Sequence, residues 1–294
     1  MKSCISLYIS GFLIHFVFGL SNNFEMKRVL VTGANKGIGK AICKVLLESY
    51  PDVYVFLGSR DRERGEKALK EIQSTVPSCS GRLELIEIDI SSDESVTKAV
   101  ESIGGELYGI VNNAGIGFGI AAEKNVAVNY FGPRRVNDAF KSILMRPKGR
   151  IVNIASASGP NFVSRCSLPD LRDKLSHPRK FGTIENLDAT ARSCEGISDG
   201  YGYSKALLNA YTVLHANDEP EMIINSCTPG FIATDLTEGY GATNSPEKGA
   251  VTPIKLLMDA SFETIPTGRY YGSDCVRSPL NVYRGPGDPP YEGE

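Results

Sequence analysis

The chain has 294 residues, 41% of them hydrophobic, with 32 basic and 34 acidic side chains and a formal net charge of −2. That size suffices for one sizeable core, and a near-neutral chain without a basic stripe or an internal repeat gives no sign of a nucleic-acid partner. The seven cysteines are scattered and odd in number, with no CxxC, and the three histidines form no ligand pattern, which argues against both a disulfide framework and a metal site.

Lys2 and the apolar run from Cys4 to Leu20 have the shape of a signal peptide, although His15 interrupts the run and it is short for a spanning helix. Met26-Lys27-Arg28-Val29 reads equally well as a working start. Residues 1–25 are therefore either a targeting segment or a non-native extension, outside the fold in both cases. The first reading sends the chain to the secretory pathway, the second leaves it cytoplasmic, and the folded domain calls for no membrane in either.

From Met26 the pattern alternates. Met26–Val31 is a short apolar strand, and Gly33, Gly37 and Gly39 follow it directly. Apolar residues at helical spacing then run from Lys40 to Glu48. A strand, a glycine-rich turn and a helix let backbone N–H groups meet a pyrophosphate at the helix N-terminus. Further strands are expected at 53–58, 83–88, 107–111, 150–155, 221–226 and 268–271. Helices are expected at 61–76 and 93–103, with a long one running to about Leu144 that Gly132-Pro133 should kink. Regular alternation of this kind implies an α/β fold, a doubly wound (Rossmann) parallel sheet of about seven strands in a single domain, with ligands beyond the carboxyl ends of the strands. The domain spans 26–272, and the Pro- and Gly-rich tail 273–294 is expected to be loosely ordered.

Tyr201-Gly202-Tyr203-Ser204-Lys205 carries the chemistry. Four-residue spacing puts the phenol of Tyr201 and the ammonium of Lys205 on one face of a helix. A phenol titrates near pH ~10, and a fixed cation beside it favours the phenolate, so the pair is a plausible general acid for a carbonyl oxygen. Tyr203, two residues from Lys205, faces elsewhere.

Charge bears on the cofactor. An acidic residue ending the second strand would bind the ribose 2′-OH of NAD and repel a 2′-phosphate. Ser59 and Arg60 stand there instead, and Lys36 in the glycine loop can reach the same place, so NADP(H) is expected. The bland alternative leaves Lys36 and Arg60 as solvated surface charges. Asp61 should point away or start the next helix.

Thr32-Gly33-xxx-Gly37-x-Gly39, Asn112-Asn113-Ala114-Gly115, Asn129, Ser156 and Tyr201/Lys205, in that order, resemble the short-chain dehydrogenases/reductases from about Met26 to Tyr271. The monomeric NADPH-dependent carbonyl reductases of that family are the nearest likeness. Gly33-Ala34-Asn35-Lys36-Gly37-Ile38-Gly39, the long segment between Ser156 and Tyr201, and Cys227-Thr228-Pro229-Gly230 carry it. The resemblance implies catalytic roles for Asn129, Ser156, Tyr201 and Lys205. Tyr201 would give a proton to the substrate oxygen, Lys205 would bind the nicotinamide ribose, Ser156 would orient the carbonyl, and Asn129 would hold a water linking Lys205 to solvent. A register slip to Ser158 remains open.

The same resemblance assigns Gly33, Asn35, Lys36, Gly37, Ile38, Gly39 and Arg60 to the cofactor, with Asp89 and Ile90 at the adenine. Asn113, Ala114 and Gly115 would line the adenine ribose and stabilise the sheet, while Pro229, Gly230, Ile232 and Thr234 would stand near the nicotinamide. It implies a small-molecule carbonyl substrate and a monomer, because an insertion at about 159–200 covers a face used for assembly in tetrameric relatives. That insertion should also form part of the substrate rim. Thr228 stands where close relatives have a second cysteine, which weakens any case for thiol-linked substrates. Three functions stay open: reduction of aldehydes, ketones and quinones, action on one steroid- or terpenoid-like alcohol or ketone, and a catalytically silent NADP-binding regulator.

Overall fold

The structure, a computed structural model, describes residues 5–9, 12–16 and 26–293. Strands β1 (Ile5–Ile9) and β2 (Phe12–Phe16) pair antiparallel in a sheet of their own. The rest of residues 1–25, and with them the remainder of the signal-like run, lie outside the described residues.

The domain follows in chain order as β3 (Lys27–Val31), α1 (Gly37–Ser49), β4 (Val53–Ser59), α2 (Arg62–Thr75), β5 (Leu83–Glu87), α3 (Asp93–Ile103) and β6 (Gly109–Asn112). After these come α4 (Ala122–Asn129), α5 (Phe131–Phe140), β7 (Arg150–Ile154), α6 (Ser158–Arg165), α7 (Pro169–Ser176) and α8 (Ile184–Arg192). The long α9 (Gly200–Asp218), β8 (Ile223–Cys227), α10 (Pro246–Met258) and β9 (Tyr270–Tyr271) complete it. Seven strands form one parallel sheet in the order β5-β4-β3-β6-β7-β8-β9. The order reverses between β3 and β6, and an α/β sheet opens a crevice at such a switch point.

The sheet is buried on both faces, as parallel sheets are. Val29, Leu30 and Val31 have no exposed surface, and their neighbours divide into two cores. One packs α1 and α10 beneath the sheet through Ile42, Leu46, Ile254 and Leu257, and the other packs α3 and α5 above it through Val96, Ala99, Val136 and Phe140. Short polar side chains set the helix starts. Asp61 accepts from the Arg64 N–H at 2.9 Å, Ser92 from Ser95 at 3.2 Å and Asp199 from Gly202 at 2.8 Å. Asp61 thus starts a helix, as expected.

The long helix expected to run to Leu144 is instead two helices. Pro133 has no N–H for the Asn129 carbonyl four residues back, and the chain breaks at Tyr130 (φ −110°, ψ −61°). The insertion folds as α6, α7 and α8 over α9. Leu175, Phe181, Leu187 and Ala191 pack against Tyr203, Leu207 and Tyr211 of that helix. Tyr203 donates to the Thr190 carbonyl at 2.9 Å, so it belongs to this core and not to the site. Asp188 of α8 is buried, accepts from Tyr130 Oη at 2.6 Å and pairs with Arg134 Nε at 3.0 Å.

The tail departs from expectation. Residues 273–293 carry no helix or strand, yet Arg284 is only 8% exposed and its guanidinium holds Asp274 with both ends. An ion pair of this kind fixes irregular backbone that has no ladder of its own.

Candidate active site

A cavity of about 660 Å³ lies along the carboxyl ends of β3, β4, β6, β7 and β8. Eighteen of the twenty residues singled out from sequence line it. Gly39 and Asn129 are the two that do not, and both support residues that do.

The glycine loop is shaped by contact. Gly33 and Gly37 have φ of +62° and +54°, a region that favours glycine. A Cβ on Gly33 would stand 2.8 Å from Ala114 Cα, and one on Gly39 would stand 2.4 Å from Asn113 Nδ2. The loop is pressed onto the Asn113–Ala114 segment and tied there. Asn113 Nδ2 donates to the carbonyls of Thr32 (2.9 Å) and Gly33 (3.1 Å), while Thr32 Oγ1 accepts from the N–H groups of Asn113 and Ala114, both at 3.1 Å. Asn113 therefore acts chiefly as a brace. Lys36 offers no side-chain cap to α1, and no acidic residue occupies its first turn, so the helix N-terminus opens into the cavity as an anion site. A pyrophosphate fits this open N-terminus.

Arg60 and Asp89 line the cavity beyond the ends of β4 and β5, together with Arg64, which the sequence reading missed among the charges of α2. Burial raises the Asp89 carboxyl, but the Ser91 hydroxyl and N–H, with Arg60 and Arg135, outweigh it and hold the group below its ordinary value. Lys36 is not a lone cation. Its Nζ pairs with Asp235 at 2.5 Å across the mouth, joining the glycine loop to the turn at Asp235–Thr237. Thr234 precedes that turn, and its methyl lies against Gly37.

At the other end stand Ser156, Tyr201 and Lys205, all lining the cavity. Tyr201 and Lys205 share a face of α9 and are 7% and 5% exposed. Lys205 Nζ donates to the Ile154 carbonyl at 2.8 Å and lies 5.9 Å from the centre of the Tyr201 ring. Burial pushes the Lys205 ammonium down to about 8. The expected depression of the Tyr201 phenol does not occur. Burial raises it, the Ser156 side chain opposes that rise in part, and Asp199 adds to it. The desolvation of a phenolate here outweighs the pull of a cation that is itself engaged with a carbonyl. Ser158 also lines the cavity but starts α6, and its N–H donates to Ser156 Oγ at 3.1 Å. It is Ser156 that meets Tyr201.

Asn129 is a brace as well. Its Oδ1 accepts from the Ile116 N–H at 2.9 Å, and its Nδ2 donates to the Ile116 carbonyl and to Ser204 Oγ, both at 3.0 Å. The side chain is committed to bracing the loop after β6, while the backbone carbonyl lacks its helical donor because Pro133 has no N–H. Gly115 fits between: a Cβ there would meet Asn129 Oδ1 at 3.0 Å and Lys205 Nζ at 3.7 Å.

The rim is a second correction. No residue of 159–200 lines the cavity, because the insertion packs on the far side of α9. Phe118, Phe231, Leu236 and Tyr283 line it instead, from the loops after β6, β8 and β9. The Phe118 ring lies 4.4 Å from that of Tyr201 and 5.3 Å from that of Tyr240. These residues sit in loops without hydrophobic periodicity, so the sequence offered no signal for them.

Among the described residues, no helix is long and apolar enough to cross a membrane. Comparison with known proteins agrees with the geometry. The profile of the short chain dehydrogenase family matches residues 27–167. Carbonyl reductase (NADPH) 1 of Pongo abelii is 32% identical over 278 residues, 85% of this chain and 98% of that protein. The (+)-neomenthol dehydrogenase of Arabidopsis thaliana is 29% identical, with 84% and 96% covered. Among solved structures, salutaridine reductase from Papaver somniferum superposes with a TM-score of 0.72 at 24% identity, over 83% of this chain and 99% of that one. With its glycine cradle, its Ser156/Tyr201/Lys205 cluster and a relative of this identity matched almost end to end, the chain belongs to the short-chain dehydrogenase family.

Proposed function

We propose that the protein reduces a carbonyl group of a small molecule with NADPH. The observation that carries this reading is one cavity holding both the open N-terminus of α1 and the Ser156/Tyr201/Lys205 cluster. Arg60 and Arg64, with Lys36 in the glycine loop of the same cavity, favour a cofactor with a 2′-phosphate, and the NADPH of the relative's name points the same way. When bound, NADPH supplies a hydride.

The chain's residues supply the rest. Burial keeps Tyr201 protonated at neutral pH, which suits it to donate the Oη proton to the carbonyl oxygen. Ser156 Oγ donates a hydrogen bond to the same oxygen and orients it. Lys205 lies close enough to stabilise the phenolate left behind. Asn129 acts through position, by fixing the loop that carries Gly115.

The test is consumption of NADPH by the purified protein against quinones, diketones and aromatic aldehydes, with NADH in parallel. Turnover with NADPH and much less with NADH is expected. Tyr201→Phe should lower turnover by about 10²–10⁴-fold while binding NADPH as before. Near-normal activity in that variant would overturn the mechanism.

A further inference from the structure

The segment beyond β9 walls the cavity although it has no regular structure. Ser273, Tyr283, Arg284 and Pro286 all line it. A built device holds them. Arg284 Nη1 and Nη2 donate to Asp274 Oδ1 (3.1 Å) and Oδ2 (2.6 Å), and its Nε and Nη2 donate to the carbonyls of Pro289 (3.1 Å) and Asp288 (2.9 Å). Asp274 also accepts from the N–H groups of Val276 (3.2 Å) and Gly287 (3.1 Å). Ser273 is fixed from beneath by Thr252, whose Oγ1 donates to its carbonyl at 2.9 Å. A Cβ on Gly230 would come 3.1 Å from Ser273 Cβ, so this wall presses on the loop after β8.

An ion pair taken out of water adds little stability over an apolar pair, but it fixes orientation through two parallel hydrogen bonds. The residue it orients is Tyr283, next to Arg284 in sequence and 45% exposed at the cavity. Tyr283 shares the cavity with Phe118 and Tyr201. The wall thus meets the loop after β8 in the cavity where Phe118 lies on Tyr201.

We infer that the Asp274–Arg284 clasp positions Tyr283 as a substrate-contacting wall that, with Phe118, selects flat aromatic or polycyclic carbonyl compounds over short aliphatic ones. Aromatic faces reward a flat partner beyond simple area burial, and a pinned ring loses little freedom when the substrate arrives. The inference rests on the carbonyl-reductase reading above.

The experiment compares kcat/KM for a polycyclic aromatic diketone and a short aliphatic aldehyde in wild type, Tyr283→Ala, Arg284→Met and Val282→Ala. Val282 is exposed and does not line the cavity. Tyr283→Ala should lower the aromatic-to-aliphatic ratio by about tenfold, through KM more than kcat. Calorimetry should show the aromatic product alcohol binding more weakly by a similar factor. Arg284→Met should shift the ratio the same way, and Val282→Ala should keep the wild-type ratio. An unchanged ratio in active Tyr283→Ala overturns the inference, and a folded Arg284→Met with the wild-type ratio overturns the role of the clasp. Should Arg284→Met fail to fold, Tyr283→Ala decides alone. A wild-type protein that reduces neither compound and none of the quinones, diketones and aromatic aldehydes above overturns the reductase reading itself, and this inference with it.

Discussion

Lys205 and Tyr201 stand one helical turn apart, and burial acts on both in the same way: it disfavours whichever form is charged. The ammonium is pushed down to about 8 and the phenol is pushed up. His215, on the same helix, shows what that does to stability. Burial drives it from 6.5 down to about 4 against the opposing pull of Glu219, and its Nδ1 has no partner. Above pH 6.5 the imidazole is neutral both folded and unfolded. As pH falls from 6.5 towards 4 only the unfolded chain gains the proton, so stability falls across that window, by roughly 3 kcal/mol at most. Denaturant titrations at pH 7 and pH 4.5 should show the loss, and His215→Gln should flatten it. An equally steep decline in the variant would assign the effect to the carboxylates instead.

Individual elements differ in how plainly the sequence announced them. The glycine loop and the Tyr201/Lys205 face were legible because their signals are local: a turn that needs positive φ, and a four-residue helical spacing. The break at Tyr130 was foreshadowed by Pro133, but its exact place depended on which carbonyl lost its donor. The bracing role of Asn129 was not legible, since it depends on a loop thirteen residues away in sequence. Nor was the direction in which the insertion packs. Its apolar residues announced a core, and only the fold shows that this core lies behind α9. Asp188 holds the insertion through Tyr130 and Arg134. Asp188→Ala would leave a buried phenol and a partly buried guanidinium without their partner, and should cost about 3 kcal/mol. Thermal melts would register this as a lower Tm. Cofactor affinity should change little by comparison, because none of the three residues lines the cavity.

For the molecule as a whole, the strand order reverses where the motifs converge, so the architecture followed from βα alternation alone. The assembly state is a separate matter. With α6, α7 and α8 laid over α9, the protein is expected to run as a monomer of 31.8 kDa. Light scattering coupled to gel filtration checks this, and a stable tetramer would refute it. The charges and hydroxyls of the reaction stand at strand ends and on a helix buried along nearly its whole length. By contrast, the walls around them come from irregular loops at 117–120, 231–240 and 273–286. Outside the Asp274–Arg284 clasp, substitutions at exposed positions of such loops disturb few core contacts, so most should cost little stability. Mutation can thus explore new substrates at the rim while the chemistry beneath stays constant, and a library confined to those three loops would draw on the same freedom in the laboratory.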